Sequence, residues 1–344
     1  MCRQERYMTN QNSQDVTIIA EAGVNHSGSL ETAKKLAAAA AGANVDFVKF
    51  QTFDPDALVI RDASSAEYQR ARGYDDQLEM LRKLTLPQED VAELKAYCES
   101  IDTAFLSTAF DLGSVDLLNR LGQKTWKIPS GEITNIPLIR KIGAIADEVI
   151  ISSGMATLGE IERALGWLEE AGCSRDRVTV LHCNTEYPTP YQDVNLQAMQ
   201  TIGQAFKVRV GYSDHTMGIE VPIAAVALGA GVIEKHFTLD RTLPGPDQRA
   251  SLEPDELSAM VCAIRHIEQA LGRPDKRVTD SERRNLSTVR KGIYAAKHIA
   301  TGEALAADNI TTKRPMHEVN AEDWNRVLGR KAHRPYQPDE AIEW

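Results

Sequence analysis

The sequence predicts an α/β chain: a (β/α)8 TIM barrel followed by a small C-terminal β-rich module. Three observations carry that expectation. Eight short β-branched runs alternate with longer helical segments from Val16 to about Gly272. The runs are uniformly apolar, as parallel strands covered on both faces are. Eight β/α units over roughly 250 residues match the usual size of a barrel. A doubly wound sheet would use fewer strands and a glycine-rich fingerprint after the first, which this chain lacks.

In order, the runs are VTIIAE (16–21), FVKFQT (47–52), AFLSTAF (104–110), TWKIPS (125–130), EVIISSG (148–154), VTVLHCN (178–184), KVRVGYSD (207–214) and VIEKHFT (232–238). The helices between them carry start and stop signals. Ser29 caps LETAKKLAAAAA, which stops at Gly42, and Thr157 with Glu160 forms a capping box before IERALGWLEEA, which stops at Gly172. Pro254 suits the first turn of the last long helix, ended by Gly272. Residues 54–86 make an unusually long insert after the second strand, which reads equally as a peripheral decoration or a lid. The expected domains are 1–273 for the barrel, 274–286 for a charged linker and 287–344 for the module.

Composition narrows the function classes. The 344 residues are 42% hydrophobic, enough for a sizeable core. No apolar run reaches bilayer length and the N-terminal MCRQERYMTNQNSQD has no apolar stretch, so a cytoplasmic protein without a membrane partner is expected. Five widely spaced cysteines read as reduced thiols rather than a disulfide framework. The formal charge of −10 disfavours nucleic acid, so an anionic substrate would need a locally positive cavity.

Barrel active sites gather at the C-terminal strand ends, and here every strand end is polar. The ends carry Glu21 with Asn25 and His26, Lys49 and Gln51, Ser107 and Thr108, Lys127 with Ser130 and Glu132, Ser152 and Ser153, His182 with Asn184, Ser213 with Asp214 and His215, and Glu234 with His236. Two inward lysines are costly unless paired or facing an anion. Lys49 and Lys127 therefore point to a phosphate or carboxylate ligand, assisted by the hydroxyls of Thr108, Ser130 and Ser213.

His215 and His236 lie 21 residues apart, one β/α unit, so they project from adjacent strands. Strands about 4.8 Å apart let two imidazoles share a divalent ion. Asp214, Glu234 and Asp247 are nearby carboxylates, and two imidazoles leave positions open for water and substrate, as in a catalytic site. The Pro-Gly-Pro turn before Asp247 presents that carboxylate toward the mouth, where it reads equally as a contact for substrate hydroxyls or a solvated loop acid.

The segments AEAGVNHSG, VKFQTF, STAF, KIPSGE, ISSGMAT, HCNTEYPTPY, GYSDHT, EKHFT and PGPD together give the chain a likeness to a known family. It resembles the sialic acid synthases, which condense phosphoenolpyruvate with an N-acylated amino sugar and release phosphate. The resemblance implies a C-terminal antifreeze-like (SAF, β-clip) domain and a domain-swapped homodimer. It implies that Lys49, Thr108, Lys127, Ser130 and Ser213 hold phosphoenolpyruvate and that Glu21, Glu132, Tyr187 and Asp247 surround the sugar. Glu21 and Glu132, with His215 and His236, are the catalytic candidates. His215 and His236 would bind a divalent ion, manganese first, with magnesium or cobalt as alternatives. Arg314 of the KRP segment would reach the partner's site. Asn184-Thr185-Glu186 looks more like synthases acting on 2,4-diacetamido-2,4,6-trideoxymannose to make N,N'-diacetyllegionaminate than like those making N-acetylneuraminate. Other readings are a different phosphoenolpyruvate-dependent sugar acid synthase, a metal-dependent aldolase or epimerase, and a non-catalytic carbohydrate-binding protein.

Overall fold

A computed structural model describes residues 15–61, 63 and 76–344. The polar N-terminal segment with Cys2 and the middle of the 54–86 insert lie outside the described residues. The chain divides into two compact units, Met1–Gly272 and Arg273–Trp344.

The first unit is a closed eight-stranded parallel barrel in sequence order. Its strands are β1 (Thr17–Gly23), β2 (Phe47–Thr52), β3 (Ala104–Ala109), β4 (Thr125–Ile128), β5 (Glu148–Ser152), β6 (Val178–Cys183), β7 (Arg209–Asp214) and β8 (Val232–His236). Pairing of β1 with both β2 and β8 closes the cylinder and sets Glu21 beside Lys49 on one edge and beside His236 on the other. Glycine enables one close strand contact: a Cβ at Gly211 would lie 2.3 Å from the Val232 carbonyl oxygen.

Side chains alternate along each strand. One set packs outward against the helices in the main core, where Ile18, Val48, Trp126, Val180 and Tyr212 are buried. The other fills the barrel with Ile19, Phe47, Leu106, Ile150, Leu181 and Val232. Apolar residues occupy the lower interior, so the polar inward residues collect at the C-terminal ends of the strands.

Helices α1 (Leu30–Gly42), α2 (Pro55–Leu58), α3 (Gln77–Leu84), α4 (Gln88–Ser100), α5 (Leu112–Arg120), α6 (Ile136–Gly143), α7 (Leu158–Glu170), α8 (Gln197–Phe206), α9 (Glu220–Ala227) and α10 (Pro254–Leu271) complete the eight units. The Ser29 cap on α1 and the Thr157/Glu160 box on α7 form as the sequence predicts. Helices α2 and α3 come from the long insert. Their apolar faces join Val24, Phe53 and Phe110 in a separate cluster above the barrel.

The second unit differs from expectation in its first residues. The stretch predicted as a linker contains a helical turn, Asp280–Arg283, because Thr279 and Glu282 make a capping box. A second short helix, Leu286–Val289, follows. Antiparallel β9 (Gly292–Ala295) and β10 (Ile310–Lys313) then pack Ile293, Ile299, Ile310, Val319, Tyr336 and Ile342 into their own core. Among the described residues, no helix is long and apolar enough to cross a membrane.

Candidate active site

A cavity of about 250 Å³ opens at the C-terminal ends of the strands. Of the catalytic, substrate and metal-binding residues proposed from the sequence, it is lined by Glu21, Lys49, Thr108, Lys127, Ser130, Tyr187, Ser213, His215, His236 and Asp247. They come from β1, β2, β3, β4, β7 and β8 and the segments after β4, β6, β7 and β8.

The floor is a buried charge cluster. Lys49 Nζ lies 3.0 Å from Glu21 Oε2 and 3.6 Å from Glu234 Oε2, and it donates to Thr108 Oγ1 at 3.0 Å. Lys127 Nζ donates to Glu234 Oε1 at 3.2 Å, and Ser213 Oγ donates to the same oxygen at 3.1 Å. Glu234 thus contacts both ammonium groups. Desolvation opposes its charge, but Lys127 and Lys49 prevail and hold it at about 2. Glu21 goes the other way: burial pushes it up to about 7 against the pull of Lys49. Burial also pulls Lys127 down, whereas Lys49, flanked by two carboxylates, stands above the ordinary lysine value despite its desolvation. Glu21, also bonded by Gln51 Nε2 at 3.1 Å, is therefore the group in the cluster able to exchange a proton near neutrality.

Above this floor stand the two imidazoles, ring centroids 5.3 Å apart. Tyr187 packs on both, 4.1 Å from the His215 ring and edge-on to His236 at 5.5 Å. His215 Nδ1 donates to the Asn184 carbonyl at 2.5 Å, which leaves the Nε2 lone pair for a ligand. Asp247 Oδ2 is 3.9 Å from His236 Nδ1, an atom that makes no hydrogen bond. Burial holds His215 down to about 4 and His236 well below its usual value, so both rings are neutral at physiological pH. Neutral imidazoles, one orientated by a carbonyl, are donors of the kind a divalent ion accepts. Among the described residues no group of three His, Cys, Asp or Glu is assembled as a metal site. Water and substrate oxygens would have to complete the coordination.

Several other residues named from the sequence stand outside the cavity lining. Glu132 does not line the cavity: the Ser130–Glu132 turn carries it away, half-buried, where it accepts from Asn135 Nδ2 at 2.6 Å. Asp214 faces outward, because strand alternation that turns Ser213 inward turns its neighbour away. There it pairs with Lys235 at 2.5 Å, and both are fully buried. Asn25 ties the end of β1 to the Phe237 carbonyl and to Ser251, and His182 bonds the Val194 carbonyl. Ser107 shares a hydrogen bond with Thr52 outside the cavity. Arg314 lies in the second unit and is exposed.

The residue that sequence reasoning underweighted is Glu234. Its position two before His236 on one strand already placed both on the same face. Cys183 also lines the cavity, with its Sγ 3.2 Å from Ser130 Oγ.

Comparison with known proteins fits this geometry. Residues 290–344 match the SAF domain. The chain is 50% identical over 327 residues to an N,N'-diacetyllegionaminic acid synthase of Campylobacter jejuni subsp. jejuni serotype O:2, covering 94% of this chain and 98% of that protein. It is 42% identical to the Legionella pneumophila protein of the same name, covering 91% and 89%. A crystal structure of N-acetylneuraminic acid (sialic acid) synthetase from Leptospira borgpetersenii serovar Hardjo-bovis in complex with citrate superposes with a TM-score of 0.69 at 34% identity, covering 79% of this chain and 90% of that one. With a family model matched from residue 36 to residue 276, through seven of the eight strands and nearly all of the cavity lining, the chain belongs to the NeuB family.

Proposed function

We propose that this protein condenses phosphoenolpyruvate with the open-chain form of an N-acylated amino sugar and releases phosphate. The sugar in this reading is 2,4-diacetamido-2,4,6-trideoxymannose, and the product is N,N'-diacetyllegionaminate. The synthases named for that product, at 50% and 42% identity, support the choice of sugar. The single observation that carries the reaction class is the pair of buried ammonium groups, Lys49 and Lys127, ringed by Thr108, Ser130 and Ser213 at the floor of a cavity topped by two neutral histidines.

Lys49 and Lys127 bind the phosphate and carboxylate of phosphoenolpyruvate, with Glu234 holding the two ammonium groups toward each other. His215 and His236 would hold a divalent ion, manganese with magnesium or cobalt as alternatives, which when bound supplies Lewis-acid polarisation of the aldehyde oxygen. Asp247 and Tyr187, at the same end of the cavity, orient the sugar. C3 of the enol phosphate attacks the aldehyde carbon, forming the new C–C bond while the carbonyl π pair moves to oxygen as an alkoxide that is then protonated, and C2 becomes cationic. Water adds at C2, and the C2–O bond then breaks with phosphate as the leaving group. Glu21 is suited to take the water's proton, since its raised pKa matches a base working near pH 7. A homodimer in which Arg314 of one copy reaches the barrel mouth of the other belongs to the same reading, supported by that residue's exposure.

The test is phosphate release from phosphoenolpyruvate with manganese, comparing N-acetylmannosamine with the diacetamido trideoxy sugar. Faster release with the latter is expected. Faster release with N-acetylmannosamine overturns the choice of sugar, and no release with either overturns the reaction.

A further inference from the structure

The mouth of the cavity is chemically two-sided. In the barrel order, β2 and β3 stand across from β6 and β7. The end of β8 and the segments after β6, β7 and β8 supply Tyr187, His215, His236 and Asp247, all able to hydrogen-bond or hold an ion. Those after β1, β2 and β3 supply Val24, Met80, Leu81, Leu84 and Phe110 to the same cavity. Met80, Leu81 and Leu84 lie on one face of α3, in the insert, and are buried with Val24 and Phe53 in an apolar cluster separate from the barrel core. The insert therefore closes one side of a polar site with a sheltered hydrocarbon wall.

That wall bears on which sugar is bound. With phosphoenolpyruvate on the lysine floor and the aldehyde end at the histidines, the remaining carbons of the sugar extend along the mouth. A hydroxyl facing Met80, Leu81 and Leu84 would lose its water without gaining a partner, whereas a methyl group would bury apolar surface. We propose that the α3 wall is a specificity element that recognises the deoxygenated, methyl-bearing end of the sugar and disfavours a hydroxymethyl group there. The proposal rests on the reaction proposed above. It also bounds the selectivity, because an apolar pocket rejects an analogue that adds only a hydroxyl by no more than about a hundredfold.

The test compares kcat/KM for N-acetylmannosamine and its 6-deoxy counterpart, which differ in one hydroxyl. The intact protein should prefer the 6-deoxy sugar by roughly ten- to a hundredfold. Leu81→Gln should narrow the preference at least about threefold while KM for phosphoenolpyruvate stays unchanged, and Leu81→Met should retain it. Met80→Gln gives a second reading should Leu81→Gln fail to fold. Equal kcat/KM for the two sugars in the intact protein, or an equal loss for both in the glutamine variants, overturns the wall's role and leaves the reaction standing. Absence of phosphate release with every amino sugar overturns the reaction itself, and the wall's occupant with it.

Discussion

Glu21 and Lys49 face each other in register on adjacent parallel strands and form a buried ion pair, Oε2 to Nζ 3.0 Å. Burial raises the Glu21 carboxyl to about 7, so this pair changes charge within the physiological range. Below that pH Glu21 is neutral, and Lys49 and Lys127 outweigh Glu234 by one positive charge. Above it Glu21 ionises and the cluster is balanced. An anionic substrate should accordingly bind more weakly as pH rises through 7. KM for phosphoenolpyruvate is expected to climb between pH 6 and 8, by at most about tenfold per unit for one linked proton. Glu21→Gln should flatten that rise, and superimposable pH profiles for the two proteins would refute the assignment.

Lys127 tests the phosphate role separately from stability. Lys127→Met keeps the volume but leaves Glu234 with Lys49 at 3.6 Å and the Ser213 hydroxyl. Removing one partner of a buried pair costs up to about 3–5 kcal/mol. The variant should melt earlier and show a KM for phosphoenolpyruvate raised at least about tenfold, the loss of roughly one charge-assisted hydrogen bond. Adding Glu234→Gln should recover stability without recovering KM. An unchanged KM in the single variant removes Lys127 from substrate binding.

The barrel and most of its mouth were legible because both periodicities act locally. Apolar runs of six to eight residues marked the strands, and the caps at Ser29 and Thr157 marked helix starts. What escaped required knowing direction. Glu132 sits at a strand end in sequence, but a 3₁₀ turn rotates it toward Asn135. Asp214 adjoins two site residues, yet alternation buries it against Lys235. The partnership of Glu234 with two lysines spans more than 100 residues, 107 in the case of Lys127, and depends on barrel closure. No local pattern carries it.

The histidine pair predicts metal dependence. His215 is fixed by the Asn184 carbonyl, and both rings are neutral at pH 7, so neither needs to lose a proton to bind a cation. His215→Ala and His236→Ala should each weaken manganese binding, read by calorimetry, by more than the 10–100-fold typical of altering a supporting contact. Turnover should fall in parallel while the melting profile keeps its cooperative form. A near-native rate in protein stripped by a chelator would exclude the ion from the reaction.

Gly154 has no side chain to offer, but its lack of one holds three cavity loops together. Its N–H donates to Ser130 Oγ at 3.0 Å, so it positions a hydroxyl of the phosphoenolpyruvate site. A Cβ there would lie 2.7 Å from Thr185 Cγ2, 2.8 Å from Ser130 Oγ and 3.1 Å from Cys183 Sγ. Gly154→Ala must therefore push the segments after β4 and β6 apart. Such overpacking costs about 1–3 kcal/mol, and a displacement approaching 1 Å in a reacting site costs as much as about a hundredfold in rate. KM for phosphoenolpyruvate should rise, since Ser130 moves with its loop. Thr185→Ser removes the nearest of the three atoms, so the double variant should regain part of the loss. If Gly154→Ala keeps both its melting temperature and its KM, the three loops are not held by this contact and Ser130 owes its place to Cys183 instead.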